Sequence, residues 1–297
     1  MKKFLAMLLA LVMVFALAAC GDSGESTTTP DPNAEGTTPA DSTDGESLGY
    51  VGISMPTQSL ERWNRDGAFL RDQFEASGYQ AELLYANNEV DQQVSDIQNL
   101  IADGVDLLVI SAIDGESLNT VVDEAAENGI PVIAYDRLIM NDNVDYYVSF
   151  DNFSVGVLQG QFLEEQLGLA DRTADDPAYI EFTAGDPADN NAPFFFNGAM
   201  SILQPYLDSG VLVCLSGQTD FDVVATEQWN TDTALDRAQT ILASYYSGGE
   251  HLDAWLCSND STALGVENAL ASSYTGTYPV ITGQDCDIAN VKNMLSG

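Results

Sequence analysis

Apolar positions along the chain switch repeatedly between two periods. From Gly49 the run YVGISM reads as a strand, and LERWNRDGAFLRDQF then carries apolar residues at helical spacing, closing at Gly78. QAELLYA is a second strand; after it Val90, Val94, Ile97 and Ile101 fall at i, i+4, i+7 and i+11, one face of a helix that ends at Gly104. DLLVISA and SLNTVVDEAAENG repeat the pair, ending at Gly129. Gly78, Gly104 and Gly129 lie 26 and 25 residues apart, the length of one strand–helix unit. Each suits the left-handed position just past a helix.

The second half keeps this rhythm. Strands are expected at VIAY, YYVSF, PAYIEFTAG, VLVCLSG, LDAWLCS and YPVITG. Helices are expected at NFSVGVLQGQFLEEQLG, NNAPFFFNGAMSILQPYLDSG, DTALDRAQTILASYY, STALGVENALASSY and DIANVKNML. Nearly unbroken apolar strands such as DLLVIS indicate parallel sheets buried on both faces. About ten strands exceed what one compact doubly wound sheet carries, so the pattern predicts an α/β chain of two lobes. The loop around 141–152 is a crossing point between them.

The first residues follow neither period. Lys2 and Lys3 precede the apolar FLAMLLALVMVFALAA, the layout of a secretory signal. Its end, Leu17-Ala18-Ala19-Cys20, resembles a bacterial lipobox, in which Cys20 carries the lipid and becomes the new N-terminus; an ordinary signal with an incidental cysteine is the alternative. Residues 21–47 hold no aliphatic side chain larger than alanine and no aromatic. Such a segment cannot pack a core and reads as a tether, spanning roughly 26–31 Å as a flexible coil.

Charge narrows the partners. With 46 acidic and 9 basic residues the formal net charge is −37, which repels phosphate backbones and sets nucleic-acid binding aside. At 45% hydrophobic the chain still has material for real cores. Cys214 and Cys257 sit in apolar runs and, with Cys286, form no CxxC pair, so buried thiols compete with a disulfide as their reading. His251 is the single histidine and has no nucleophile elbow near it. No G-x-S-x-G, P-loop or G-x-G-x-x-G occurs, and neither the acidic clusters nor the Cys/His positions have calcium or zinc spacing. The expectation is therefore no catalysis, no metal and no cofactor.

Ligands of open parallel sheets bind beyond the carboxyl ends of the strands. There the chain places Arg62 and Trp63; Asp136 and Arg137; Asp189, Asn190 and Asn191; Trp229; Asn259 and Asp260; and Gln284 and Asp285. Removing Lys2 and Lys3 with the signal leaves seven basic residues, and at least two of them stand at strand ends. Carboxylates, carboxamides and guanidinium groups offer fixed donors and acceptors to hydroxyls, which do both, while indoles cover the C–H face of a sugar ring. Hydrogen bonds to charged groups are worth roughly 1.5–3 kcal/mol each. A few of them beyond the association cost reach micromolar affinity, about −8 kcal/mol. Bland uses compete at each position. Asp136–Arg137 could be a surface ion pair, and Asn259-Asp260-Ser261 could be a helix N-cap alone. Of Phe194, Phe195 and Phe196 at most one can face a ligand, Trp255 belongs to a core, and Arg65 and Arg71 read as solvated helix residues.

The stretches PTQSLERW, VIAYDRLI, SFDNFSVGVLQ, DPADNNAPFFF, AMSILQPYLDSG, SGQTDFD and EQWN together resemble the periplasmic-binding-protein type 1 family, within it the multiple-monosaccharide- and xylose-binding proteins of bacterial sugar ABC importers. The resemblance runs from about residue 48 to the end of the chain. It implies two doubly wound lobes joined by hinge crossings, an N-terminal lobe over 48–148, a C-terminal lobe over 149–284, and a return segment from 285. It implies sugar contacts from Arg62, Trp63, Asp136, Arg137, Asn191, Asn259, Asp260 and Asp285, with Trp229 stacked on the ring. Its partners would be a monosaccharide of the xylose, glucose or galactose type and a membrane permease, for a lipid-anchored, extracytoplasmic monomer. Gln58 stands where close relatives often have lysine. Relatives also continue beyond NMLSG through a further strand, a crossing and a helix, so the resemblance implies that a C-terminal part is missing. A sugar sensor signalling to a chemoreceptor or kinase, and a secreted carbohydrate-active enzyme, are the alternatives. A transcription regulator would need a basic helix-turn-helix where this chain has its signal and acidic tether.

Overall fold

The computed structural model describes residues 47–296. The signal, the tether up to residue 46 and Cys20 lie outside the described residues. Strands β1 (Tyr50–Met55), β2 (Gln80–Tyr85), β3 (Leu107–Ile110), β4 (Val132–Tyr135) and β5 (Tyr146–Val148) form one parallel sheet in the order β2-β1-β3-β4-β5. Helices α1 (Glu61–Ala76), α2 (Val90–Ala102) and α3 (Asn119–Glu127) connect the first four. The three glycines expected to end these helices have φ of 93°, 80° and 73°, conformations that cost glycine nothing.

Beyond β5 the chain passes through 149–151 into a second body. Here α4 (Asn152–Leu167), β6 (Ala178–Thr183), α5 (Asn191–Ser209), β7 (Leu212–Val213), the short α6 (Phe221–Val224), α7 (Thr231–Tyr245), β8 (Ala254–Cys257), α8 (Asp260–Ser273) and β9 (Val280–Ile281) follow in turn. Their strands pair in parallel as β7-β6-β8-β9. A last helix, α9 (Ile288–Ser296), packs on α8.

Both sheets are buried on two faces, as their apolar strands require. Ile97, Leu100, Val121 and Val122 cover one side of the first sheet, while Val51, Ile53 and Met55 meet Trp63 of α1 on the other. That second cluster continues without a break into Ala192, Phe195 and Trp229 of the other lobe, giving the cleft an apolar floor. In the second lobe α4 and α5 cover one face with Leu163, Phe196 and Leu203, and α7 and α8 cover the other with Ile241 and Val266, packed with Trp255 of β8.

Two strands are shorter than the apolar runs predict. In VLVCLSG only Leu212 and Val213 pair, because the chain then turns to set the Ser216 N–H on the buried carboxylate of Glu181, 3.1 Å away. In YPVITG only Val280 and Ile281 pair, because the Thr282 hydroxyl takes over the bonds to the Cys257 N–H and C=O at 2.9 and 2.8 Å. YYVSF likewise pairs only at Tyr146–Val148. Cys214, Cys257 and Cys286 are free thiols, Cys257 buried and Cys286 exposed.

Candidate functional site

The carboxyl ends of β1, β4, β6, β8 and β9 converge on one cavity. Leu60, Arg62, Trp63, Asp136 and Arg137 line it from the first sheet's side, and Asp189, Asn191, Phe195, Trp229, Asn259, Ser261, Gln284 and Asp285 complete it. Both flanking structures supply polar groups in fixed orientation, and the apolar floor described above lies beneath them.

Arg62 enters from the first turn of α1. Its guanidinium pairs with Asp136, lies 3.4 Å from Oδ1 of Asp285 and bonds Oδ2 of Asp66 through Nε at 3.2 Å. Burial opposes its charge, but the carboxylates of Asp136, Asp285 and Asp66 outweigh that and hold it protonated. The Cζ atoms of Arg62 and Arg137 lie 4.7 and 5.0 Å from the Trp63 ring centroid, within cation–π range.

Asp136 has φ of 64°, and the Arg137 N–H donates to the Tyr135 carbonyl at 2.7 Å across it. This is a γ-turn of the rare, strained hand. The turn throws Asp136 and Arg137 off the end of β4 in different directions. Nε of Arg137 stands 3.0 Å from Oδ2 of Asp189, an ion pair whose N–H is not aligned on the oxygen, and its Nη1 donates to the Ala112 carbonyl at 3.1 Å. Asp189 is 4% exposed; it also accepts the Trp229 indole N–H at 3.2 Å and the Asn191 backbone N–H at 2.9 Å. Burial pushes its carboxyl up against the pull of Arg137.

On the opposite wall Asn191 donates through its amide to the Asp136 carbonyl at 3.0 Å, and its oxygen accepts from Asn152 at 2.7 Å. The Trp229 indole lies against the backbone at Gly185, where a Cβ would stand 2.0 Å from Cη2, so only glycine fits there. Asn259 does two jobs. Its oxygen caps α8 by accepting the Thr262 N–H at 3.0 Å, and its amide donates to Oδ2 of Asp285 at 3.3 Å. Burial raises the Asp285 carboxyl to about 7 against the opposing pull of Arg62. Asp136, Trp229 and Asp285 all have left-handed backbones without being glycine, a clustering of strain at one place.

A family model described as a periplasmic binding protein domain matches residues 51–297. The chain belongs to this family. Among curated relatives of this periplasmic binding protein, the multiple sugar-binding periplasmic protein SbpA of Azospirillum brasilense is 45% identical over 83% of the chain and 70% of its own length. The D-xylose-binding periplasmic protein of Escherichia coli K12 is 34% identical over 83% of the chain and 70% of its own length. Among solved structures, an ABC transporter solute-binding protein from Clostridium phytofermentans with bound β-D-glucose superposes with a TM-score of 0.81. It is 56% identical, covering 84% of this chain and 76% of its own.

Eight of the nine residues expected to contact ligand line the cavity: Arg62, Trp63, Asp136, Arg137, Asn191, Trp229, Asn259 and Asp285. Asp260 does not. Its Oδ2 accepts the Asp287 N–H at 2.8 Å, so it anchors the loop that carries Asp285. Asp189 was absent from the expected set although it stands in the same strand-end loop as Asn191; a carboxylate two residues ahead of a helix start was the available signal. Arg65 is a correction. It is exposed, as a solvated helix residue should be, but its guanidinium donates to the carbonyls of Asp285 and Cys286 at 2.6 and 3.1 Å. Of the three phenylalanines, Phe195 lines the cavity, Phe196 is buried in the core and Phe194 is exposed.

Proposed function

We propose that this periplasmic binding protein holds one monosaccharide in the cavity and delivers it to the permease of a sugar ABC importer. The observation that carries the reading is the convergence of two arginines, six carboxamide or carboxylate groups and two indoles, from both sheets, on one cavity. A pyranose offers a ring of hydroxyls, each donor and acceptor at once, and apolar C–H faces. Asp136, Asp189 and Asp285 accept, Arg62, Arg137 and Asn259 donate, and Trp63 or Trp229 covers a ring face. The glucose-bound structure favours an aldohexose such as D-glucose, the D-xylose-binding relative favours D-xylose as a neighbouring candidate, and D-galactose is a third.

The mechanism is hinge closure. The lobes over 48–148 and 149–284 swing about the 149–151 crossing, and the sugar favours the closed arrangement through contacts made with both walls together. Closure excludes water and strengthens each hydrogen bond. The site offers binding rather than bond-breaking chemistry. The protein works outside the cytoplasm as a monomer, tethered by a lipid on Cys20.

A thermal-shift screen of monosaccharides tests this reading. D-glucose, D-xylose or D-galactose at millimolar concentration should raise the melting temperature by several degrees, while disaccharides should not. A flat response to every monosaccharide would overturn it.

A further inference from the structure

The N-terminal turn of α1 grips the segment after β9 with three side chains, and only one of them belongs to the cavity. Arg62 reaches the Asp285 carboxylate. One turn on, Arg65 donates to the backbone carbonyls of Asp285 and Cys286 at 2.6 and 3.1 Å. Glu61, on the same face as Arg65 at i and i+4, accepts the N–H of Ile288 at 3.1 Å. Asp285 and Cys286 have φ of 100° and 59°, both outside the region that side-chain-bearing residues favour. Two consecutive residues in that region persist only where their surroundings hold them there. From the other side Asp260 accepts the Asp287 N–H at 2.8 Å and Asn290 donates to the Asp260 carbonyl at 3.1 Å. The segment is thus clamped between α8 of its own lobe and α1 of the opposite one.

We infer that Arg65, assisted by Glu61, is a positioning residue: it clasps the strained Asp285–Ile288 segment across the cleft and so presents the Asp285 carboxylate to the sugar. Arg65 touches no part of the cavity. Its fork spans two successive carbonyls, a geometry that a lysine ammonium cannot reproduce. Because the clasp joins α1 to the segment after β9, it is made only when the two lobes meet. It therefore adds to the closed state and slows ligand escape, leaving encounter untouched. The sugar part of this inference rests on the monosaccharide reading above.

The test combines hydrogen exchange with stopped-flow binding of D-glucose to the full protein. In Arg65→Ala the amides of 286–288 should exchange faster, with or without sugar. D-glucose should dissociate about tenfold faster, equivalent to about 1.4 kcal/mol, while its association rate stays within twofold. Arg65→Lys should recover part of the loss, and Glu61→Ala should reproduce a smaller version. Unchanged exchange and dissociation in Arg65→Ala would overturn the clasp. So would a fall in association rate together with melting temperature, which would make Arg65 a folding residue. If the parent binds neither D-glucose nor D-xylose, the sugar reading fails, yet the exchange at 286–288 still decides the clasp.

Discussion

Two groups of buried charge stand in this molecule, and only one surrounds the cavity. Within β6, Glu181 is fully buried. It accepts from the Ser216 N–H at 3.1 Å, the Ser216 hydroxyl at 2.5 Å and the Tyr246 hydroxyl at 2.9 Å. Arg237 nearby donates to the Phe182 carbonyl at 2.5 Å and to Gln218 at 2.6 Å. In the cavity Arg62, Arg137, Asp136, Asp189 and Asp285 are as thoroughly buried in part, but their arrangement differs. They come from both lobes, Asp136 and Asp285 sit on left-handed backbone, and all five line one shared space. The Glu181 group sits within one lobe and spends its bonds on its own neighbours. Burial of charge alone therefore does not mark a binding site. Charge contributed by two lobes to a shared space does.

This contrast can be broken from either side. The largest effect belongs to the closed group: Glu181→Ala strands the Ser216 and Tyr246 donors and leaves Arg237 without its nearby anion. It should cost about 3–5 kcal/mol in urea unfolding. Sugar affinity of the folded fraction should stay at the parent value; a selective loss of affinity instead would erase the distinction. Next comes Gly185→Ala, which puts a methyl 2.0 Å from the Trp229 ring and must displace the indole. It should cost about 1–3 kcal/mol of stability and weaken sugar binding, with a shift in tryptophan emission. Emission and affinity both equal to the parent's would show that Trp229 does not depend on that glycine.

The smallest effect is in pH. Burial holds the Asp285 carboxyl at about 7 and that of Asp287 at about 6 in the folded chain, both above the ordinary value of 3.8. A carboxyl raised on folding makes its stabilising contribution fully below its unfolded value and loses it as pH rises through the folded value. Between pH 7 and 4 the contribution from these two groups therefore grows as the solution is acidified. Asp285→Asn should flatten part of that growth in thermal melts collected across the window. Parallel pH profiles for variant and parent would contradict the assignment.

Much of the architecture was legible in the chain because it is local. The Val90, Val94, Ile97, Ile101 spacing and the glycines at 78, 104 and 129 each act within one strand–helix unit, and periodicity reports such units directly. The strand-end rule then led to Arg62, Asp136, Arg137, Asn191, Asn259 and Asp285. What periodicity could not report was pairing across distance. Arg65 and Asp285 are 220 residues apart, and nothing near Arg65 distinguishes it from a solvated helix residue. Asp260 is expected in the site from its strand-end position after LDAWLCS and its place beside Asn259 in the SND stretch, but sequence does not show that the first turn of α8 puts its Oδ2 on the Asp287 N–H. The left-handed backbones of Asp136, Trp229 and Asp285 carry no glycine to announce them. Strand ends at Cys214 and Thr282 shifted because side chains there replace ladder bonds, which hydrophobicity does not encode.

The central claim is that one monosaccharide sits between the lobes against Asp136 and Arg137. Titration calorimetry of D-glucose, D-xylose and D-galactose into the parent and into Arg137→Ala tests it most directly. The account predicts one site per chain with roughly micromolar affinity, about −8 kcal/mol, for at least one of the three sugars. In Arg137→Ala, with its cooperative melt retained, the heat should vanish. Binding by Arg137→Ala at the parent's affinity, or no binding of any monosaccharide by the parent, would contradict it.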